Sequence, residues 1–358
     1  MTWLRNGWYA AMWSQDLAPG TPVRRTLLGD DMVLIRTPDG SVSALQDRCP
    51  HRFAPLHLGT ICGDGRTLRC NYHGLEFDMQ GRCVRNPHGD GRKPAALRVR
   101  SYTAVEKHTV IWVWPGEREP DLSAIPDYSL LDRADPGVTS VRDHLEMNVD
   151  YRLVVDNLLD LSHVSFLHDG ILGNAQTVDA EIDLQENGQS LTVSRYMPNV
   201  PPPGLFDMLF RRDGKPVDLW ASMRWSAPCN LLNDAGVKAV GEAREHGTGI
   251  YGIHLLTPQT ERSTLYHFVA IRQNPLPFPE AEKEAIGRKL GELRRYAFAE
   301  QDEPMIRGQQ RAIDRAREPL SPTLLSIDVG PVRYRRMLDR LIEQEGALPG
   351  VEAQAPST

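Results

Sequence analysis

The sequence predicts an α+β protein in which an all-β domain comes first and a domain of mixed strands and helices follows. Three observations support this prediction. A chain of 358 residues is too long for one ordinary core. The first 117 residues read as short strands separated by turns, and the remainder mixes strands with segments of helical periodicity. We therefore expect two domains, at residues 1–117 and 118–358.

Turn signals between β-branched and aromatic runs define the N-terminal domain. Pro38-Asp39-Gly40 separates two such runs, and Gln80-Gly81 separates two more, so each turn predicts a hairpin. The run Val110–Trp114 ends at Pro115-Gly116, and we expect its tryptophans to pack in the core.

The second domain combines strands with two long helical segments. Asp150–His168 reads as one helix and residues 282–317 as another, in which Pro304 should introduce a kink. The segment 199–215 resists assignment, and we expect a mobile loop near the active site there. Strands are predicted at 191–196 and 266–271.

Composition excludes several classes of protein. Apolar residues make up 41% of the chain, which is enough for sizeable cores, and the net charge of −6 without a basic block gives no support to nucleic-acid binding. No eighteen-residue apolar run predicts a membrane helix. Beyond two motif cysteines, an odd remainder of Cys62, Cys83 and Cys229 fits reduced thiols and a cytoplasmic location, with no role assigned to them.

A pair of matching motifs forms the first candidate site. Cys49-Pro50-His51-Arg52 and Cys70-Asn71-Tyr72-His73 each supply one Cys and one His. A Rieske [2Fe–2S] cluster needs this donor set, with two Cys on one iron and two His on the other. Structural zinc is the alternative, although a finger usually gives both cysteines before both histidines. We predict that a Rieske cluster is held by Cys49, His51, Cys70 and His73.

The second candidate site lies on the predicted helix at 150–168. Asp160 and His163 are i and i+3 and share a face, whereas His168 is i+5 from His163. A straight helix would separate the two imidazoles, so we expect the helix to end or tighten near Phe166. Two histidines with one carboxylate and open positions form the site typical of Fe(II) oxygenases. The alternative is that both histidines are ordinary surface or core residues.

Taken together, these motifs resemble the Rieske non-haem iron oxygenases. The resemblance rests on the two cluster motifs and on Asp156-Asn157-x-x-Asp160-x-x-His163-x-x-x-x-His168, and it extends from Asn6-Gly7-Trp8-Tyr9 to the last helix. Within these enzymes the chain is similar to the aromatic O-demethylases of the vanillate and dicamba type. The resemblance implies an all-β Rieske [2Fe–2S] domain followed by an α+β helix-grip catalytic domain with an antiparallel sheet.

The resemblance also implies the third ligand of a mononuclear non-haem Fe(II) held by the two histidines. The family places an aspartate three residues before a Met–aliphatic pair, and the matching residue is Asp302, ahead of Met305. Glu300 and Glu303 are the alternatives, because most carboxylates on a helix are simply solvated.

Four residues receive further roles from the resemblance. Asp160 matches a carboxylate that bridges a cluster histidine of one subunit to an iron-binding histidine of the next in a homotrimer, and the alternative is that it only orients His163. Asn157 joins Asp160 in the catalytic set. Asn233 and His254 align with residues that hold an aromatic carboxylate. The alternatives are a turn position for Asn233 and a solvent-facing strand position for His254.

The implied activity is that of a monooxygenase. It uses O₂ and two electrons to hydroxylate the methyl group of a methoxylated aromatic acid, which then releases formaldehyde and a phenol. No Gly-x-Gly-x-x-Gly fingerprint follows a strand, so we expect electrons from NAD(P)H to arrive through a separate reductase or ferredoxin. The alternatives are ring or alkyl hydroxylation of another aromatic acid, a Rieske electron-transfer protein, and a non-catalytic small-molecule-binding protein.

Overall fold

The computed structural model describes residues 3–133 and 138–347, which form two compact units. Of the described residues, the first unit contains 3–125, the short segment Thr257–Glu261 and 342–347. The second unit contains Pro126–Leu256 and Arg262–Leu341. Because the units are not two continuous stretches, the domain division after residue 117 stays a prediction.

The first unit is an all-β fold with two antiparallel sheets. In chain order its strands are β1 (Tyr9–Trp13), β2 (Val23–Leu27), β3 (Asp30–Arg36), β4 (Val42–Gln46), β5 (Thr60–Ile61), β6 (Thr67–Arg69), β7 (Glu76–Asp78), β8 (Cys83–Arg85), β9 (Ser101–Lys107) and β10 (Val110–Trp114). The larger sheet has the order β1-β10-β9-β4-β3-β2, and the smaller has the order β5-β6-β7-β8.

Both predicted hairpins of this unit are confirmed. Strands β3 and β4 pair antiparallel across Pro38–Gly40, and β7 pairs with β8 across Gln80–Gly81. All of β10 is buried, and its tryptophans Trp112 and Trp114 lie in the core as predicted. The core beside the smaller sheet also contains Cys49 and Cys70, so the loops that carry these residues are anchored in packed apolar side chains.

The second unit is organised by a seven-stranded antiparallel sheet. Its strands are β11 (Asp143–Met147), β12 (Ile182–Asn187), β13 (Ser190–Val200), β14 (Val217–Ser226), β15 (Asn230–Ala239), β16 (Thr248–Thr260) and β17 (Ser263–Gln273). They follow the order β11-β17-β16-β15-β14-β13-β12. The predicted strands at 191–196 and 266–271 are confirmed within β13 and β17.

Six α-helices complete the described part of the chain: α1 (Leu130–Arg133), α2 (Tyr151–Leu159), α3 (Gly204–Leu209), α4 (Glu280–Arg295), α5 (Glu303–Arg315) and α6 (Val329–Ala347). Helices α3 and α4 share a core with the sheet, in which Phe206 and Leu290 pack with Leu219 and Val237. One face of the sheet is thereby covered, and this face carries the site described below. Within the described ranges, no helix combines the length and apolar character that crossing a membrane requires.

Two predictions about the second unit are wrong. The helix expected to run to His168 ends at Leu159, because Asp160 adopts an extended backbone conformation at the C-cap, and only a short 3₁₀ turn at His163–Ser165 follows. The segment 199–215 is not a loop throughout. Strand β13 extends to Val200, and α3 buries Leu205 and Phe206 in the core.

Two turn glycines of the first unit differ in how tightly their surroundings are packed, Gly40 between β3 and β4 and Gly81 between β7 and β8. Gly40 and Gly81 both have a left-handed φ, of 85° and 74°. A Cβ on Gly81 would lie 2.0 Å from the carbonyl oxygen of Val99, whereas a Cβ on Gly40 would meet nothing within 4 Å. We expect Gly40→Ala to cost about 1 kcal/mol from backbone strain alone. Gly81→Ala should cost a further 1–3 kcal/mol or so, because the packing must also shift. Calorimetric Tm values check this, and equal losses in the two variants would contradict it.

Candidate functional site

The two cluster-motif loops of the first unit have the same backbone geometry. In each loop the cysteine N–H donates to the carbonyl five residues later, at 2.8 Å for both Cys49 and Cys70. Each cysteine carbonyl in turn accepts from the N–H four residues later. That fourth residue has a left-handed φ, 62° at Phe53 and 76° at Gly74. The repeated turn therefore presents the two Cys–His pairs in the same way.

The cysteines of these loops are buried and the histidines lie nearer the surface, an arrangement that suits a cluster. Cys49 and Cys70 are 2% and 1% exposed, whereas the rings of His51 and His73 lie nearer the surface with centroids 4.5 Å apart. Burial, with a further contribution from the neighbouring Cys70, raises the pKa of the Cys49 thiol to about 11. Two buried sulfurs and two accessible imidazoles are the donors that a Rieske [2Fe–2S] cluster needs.

A second donor set lies in the second unit. The ligand atoms of His163, His168 and Asp302 are all within 4.8 Å of one another. Asp302 Oδ1 lies 3.6 Å from His163 Nε2 and 3.3 Å from His168 Nε2, and the two rings are 5.1 Å apart. His168 and Asp302 are buried, and His163 is partly exposed. Two imidazoles and one carboxylate fit a divalent iron with open positions.

Hydrogen bonds on the far side of each imidazole fix its orientation. His163 Nδ1 donates to the backbone carbonyl of Asp160. His168 Nδ1 donates to Gln301 Oε1 at 2.8 Å, and the amide of Gln301 donates to the carbonyl of Leu167 at 2.6 Å. With Nδ1 occupied, both Nε2 atoms face Asp302, which is the arrangement that a shared metal ion needs, because such bonds set the tautomer of a metal-binding histidine.

Electrostatics tie the two histidines to the carboxylate. Burial lowers the pKa of His163, and the charge of Asp302 opposes this only in part. Burial also disfavours charge on His168, but its hydrogen bond to Asp302 and the carboxylate charge outweigh burial and raise its pKa. Asn157 Nδ2 donates to Asp302 Oδ1 at 3.1 Å. The carboxylate is therefore oriented toward the imidazoles.

The helical winding around Asp302 is irregular. Residues Tyr296–Asp302 form a π-helical segment between α4 and α5, and the N–H of Glu303 donates five residues back to Phe298. Pro304 lies in the first turn of α5 and has no N–H to continue the α-helical ladder. The kink was predicted just past Asp302, at Pro304. The helix instead changes its winding before the proline, in the π-helical segment. π-Helical turns of this kind often accompany functional sites.

The two alternative carboxylates are placed differently from Asp302. Glu300 is exposed, and Glu303 is directed to Arg307 at 3.5 Å. Neither belongs to the donor set, whereas Asp302 is 3% exposed and contacts both histidines.

A largely apolar cavity adjoins this donor set. Strands β13–β16 and helices α2, α3 and α4 line it, and the polar residues on its wall include Asn157, Asn233, His254 and Arg294. Asn233 lies on β15 and donates to Ser222 at 3.1 Å. The structure thus brings the two predicted substrate-binding residues to one cavity, and neither the turn position for Asn233 nor the solvent-facing position for His254 is correct.

The sequence analysis did not identify Arg294 on the cavity wall or two residues that contact the site histidines. Arg294 follows Leu290 by four residues and so falls on the apolar stripe of α4, which is the signal that could have identified it. Tyr266, whose hydroxyl lies 2.6 Å from His254 Nδ1, and Gln301 had no comparable signal, because their partners are remote in sequence.

The chain matches known proteins over nearly its whole length. Residues 7–103 match the Rieske [2Fe-2S] domain, and residues 147–344 match the Vanillate O-demethylase oxygenase C-terminal domain. Dicamba O-demethylase, oxygenase component, from Stenotrophomonas maltophilia is 37% identical over 97% of this chain and 100% of its own. Chloroacetanilide N-alkylformylase, oxygenase component, from Rhizorhabdus wittichii is 36% identical over 96% and 97%. A crystal structure of dicamba monooxygenase bound to 3,6-dichlorosalicylic acid gives a TM-score of 0.88 at 35% identity, covering 97% of this chain and 100% of that one.

The match to the Rieske [2Fe-2S] domain favours a cluster over structural zinc at the first site. An oxygenase class is defined by such a domain together with two histidines and one carboxylate beside an apolar cavity. The chain belongs to the Rieske non-haem iron oxygenases, in the group that carries the vanillate O-demethylase oxygenase C-terminal domain. The predicted fold class is likewise confirmed.

Substitution of Asp302 tests the donor set. In a [2Fe–2S] protein iron equals acid-labile sulfide, so a mononuclear iron appears as an excess of iron over sulfide. We expect Asp302→Ala to remove that excess while leaving the visible spectrum of the cluster unchanged, because two imidazoles alone hold Fe(II) weakly. Glu300→Ala and Glu303→Ala are the matched controls and should retain the iron. Loss of iron in Glu300→Ala but not in Asp302→Ala would refute the assignment.

Proposed function

We propose that this protein is the oxygenase component that O-demethylates a methoxylated aromatic acid and releases formaldehyde. The observation that carries the proposal is the convergence of His163, His168 and Asp302 on the wall of an apolar cavity, in a chain that also has a Rieske domain. Its relatives include proteins named as O-demethylase and N-alkylformylase oxygenase components.

Each metal group is assigned to the residues that fit it. His163, His168 and Asp302 hold Fe(II), and the cluster is held by Cys49, His51, Cys70 and His73. When bound, the two groups supply stored electrons and O₂ activation. The protein binds and orients the substrate. The apolar wall excludes water and packs against the aromatic ring, and Asn233 and His254 bind the carboxylate. The methoxy group is thereby directed toward the two histidines.

Partners follow from the same proposal. Electrons come from NAD(P)H through a separate reductase or ferredoxin, which is supported by relatives named as components of larger systems. The oxygenase is a homotrimer with head-to-tail contacts between subunits. Such heterologous interfaces can close into a ring of three. The free thiols of Cys62, Cys83 and Cys229 support a cytoplasmic location. The proposed reaction is a step in the catabolism of aromatic compounds.

Product analysis tests the reaction. With a surrogate reductase, methoxybenzoates should drive O₂ consumption and release formaldehyde in an equal amount, because hydroxylation of the methyl carbon gives a hemiacetal that breaks down to a phenol. The corresponding hydroxybenzoates, which lack the methyl group, are the control and should release none. Ring-hydroxylated products, without formaldehyde from any of the methoxybenzoates, would contradict O-demethylation and favour ring hydroxylation.

Asp160 is the proposed bridge between the cluster of one subunit and the iron-binding histidine of the next. Its Oδ1 accepts from the N–H of Ser162 at 2.9 Å and from the Ser162 hydroxyl, and its backbone carbonyl already holds His163. Its Oδ2 lies 4.0 Å from His163 Nδ1 and has no hydrogen-bond partner among the described residues. This oxygen is available to accept an imidazole N–H from another subunit, which supports the bridging role over a purely orienting one.

Asp160→Asn tests this role. We expect the variant to keep both kinds of iron, because the backbone carbonyl still orients His163, but to slow reoxidation of the cluster by orders of magnitude. Stopped-flow absorbance with substrate and O₂ measures this step. Asp183→Asn, a change at an exposed carboxylate on β12, is the control and should behave as the unsubstituted protein. Unchanged reoxidation in Asp160→Asn would show that electrons take another route.

A further inference from the structure

Arg294 is a buried cation in the wall of the cavity, and no described residue serves as its counter-ion. Its side chain is on α4, the residue is 7% exposed, and Nε, Nη1 and Nη2 all lack hydrogen-bond partners among the described residues. The guanidinium is stacked on two aromatic rings, 5.6 Å from the centroid of Phe268 and 5.4 Å from that of Phe298. Burying a charged group is costly when its N–H donors make no hydrogen bonds. We therefore expect a bound partner to complete this site.

His254 and Asn233 border the same small space as Arg294, at the position of Gly252. Gly252 lies on β16 directly opposite Asn233 on β15. A Cβ built on Gly252 would lie 2.9 Å from His254 Nε2, 3.2 Å from Asn233 Cβ and 3.7 Å from Arg294 Nη1. The absence of a side chain at Gly252 therefore leaves a space that these three residues border.

The groups around this space are donors. His254 Nδ1 pairs with the Tyr266 hydroxyl at 2.6 Å, and Nε2 has no partner in the described structure. Burial and the charge of Arg294 hold the pKa of His254 well below its ordinary range, so the ring is neutral. Burial keeps Tyr266 protonated by raising its pKa well above the ordinary value. If the Tyr266 hydroxyl donates to Nδ1, the single ring proton of His254 is on Nε2 and faces the space.

We infer that Arg294 is the counter-ion of the substrate carboxylate, which lies over Gly252 between Arg294, His254 and Asn233. The inference rests on the proposed function and adds to it the residue that selects aromatic acids over neutral aromatics. A guanidinium presents a planar fork that matches a carboxylate in two parallel hydrogen bonds. His254 supplies a neutral donor to the same anion, and the Asn233 amide, which uses one N–H on the Ser222 carbonyl, retains a second. The apolar remainder of the cavity holds the ring.

A purely structural role for Arg294 predicts a different response to substitution. Burial lowers the pKa of Arg294 to about 10, so the group remains charged at neutral pH although no anion compensates it. Replacing it with Met removes an uncompensated charge and keeps the apolar stem on α4. The Tm of unliganded Arg294→Met should therefore equal or exceed that of the unsubstituted protein, whereas loss of a structural contact would lower it.

Anaerobic calorimetric titration of the holoprotein tests the inference without turnover. The probes are 4-methoxybenzoate, the neutral 4-methoxybenzamide and 4-methoxybenzenesulfonate. We expect the unsubstituted protein to bind the carboxylate more tightly than the amide. Arg294→Met should weaken carboxylate binding by about tenfold to a hundredfold and leave amide binding within about threefold, since charged hydrogen bonds have that worth. Arg294→Lys should retain part of the preference, because the charge remains but the fork is lost.

Arg272→Met is the matched control. Arg272 on β17 is 4% exposed, has unpartnered Nε and Nη2 atoms, and lies over Phe278 instead of the cavity. Its replacement should leave the carboxylate preference unchanged. Gly252→Ala provides a second route that removes no polar group, and its methyl should weaken carboxylate binding by filling the space.

The outcomes separate this inference from the proposed reaction. An unchanged carboxylate preference in Arg294→Met, or equal affinity of the unsubstituted protein for 4-methoxybenzoate and 4-methoxybenzamide, overturns the inference. If Arg294→Met does not fold, an unchanged preference in Gly252→Ala overturns it. Tighter binding of the sulfonate than the carboxylate overturns the choice of carboxylate. Arg294-dependent binding of the acid without formaldehyde release supports the inference and refutes only the O-demethylation.

Discussion

The second unit depends on one constraint: a carboxylate and two imidazoles from remote chain segments must meet beside an apolar cavity. Asp302 lies more than 130 residues after His168 in the sequence, yet its Oδ1 is within 3.6 Å of both Nε2 atoms. The end of α2 at Leu159 and the π-helical segment before α5 both serve this meeting. Regular helices would be locally more favourable, so the irregularities lie where the function requires them.

The candidate donors His163, His168 and Asp302 lie together in the structure, whereas the backbone that carries them differs from the prediction. The spacing of Cys49, His51, Cys70 and His73 was informative because cluster ligands come in local pairs. The end of α2 was placed too late, since the extended conformation at Asp160 is stabilised by contacts that sequence periodicity does not report. Segment 199–215 was treated as a loop because its proline run hides a short helix, whose position depends on packing against α4.

Arg294 shows a different reason for failure. Helix α4 is rich in exposed charged residues, so one more arginine has no distinctive local pattern. Its importance comes from what is missing around it in three dimensions, namely a carboxylate within reach among the described residues. Arg294 keeps a charge whose N–H groups have no partner among the described residues, whereas Arg195 on the same wall donates to backbone carbonyls. Such a conflict between burial and solvation is visible only after the fold is known.

The π-helical connection between α4 and α5 has a geometric consequence for regioselectivity. Arg294 and Asp302 are eight residues apart on one continuous helical rod, so their separation along its axis is on the order of 12 Å or less. A helix resists extension and compression, so under the proposed roles of Arg294 and Asp302 it fixes the distance between a bound carboxylate and the metal ligands. Under the same roles, changes in the apolar wall alter which rings fit, whereas the winding of this rod determines which ring position faces the ligands.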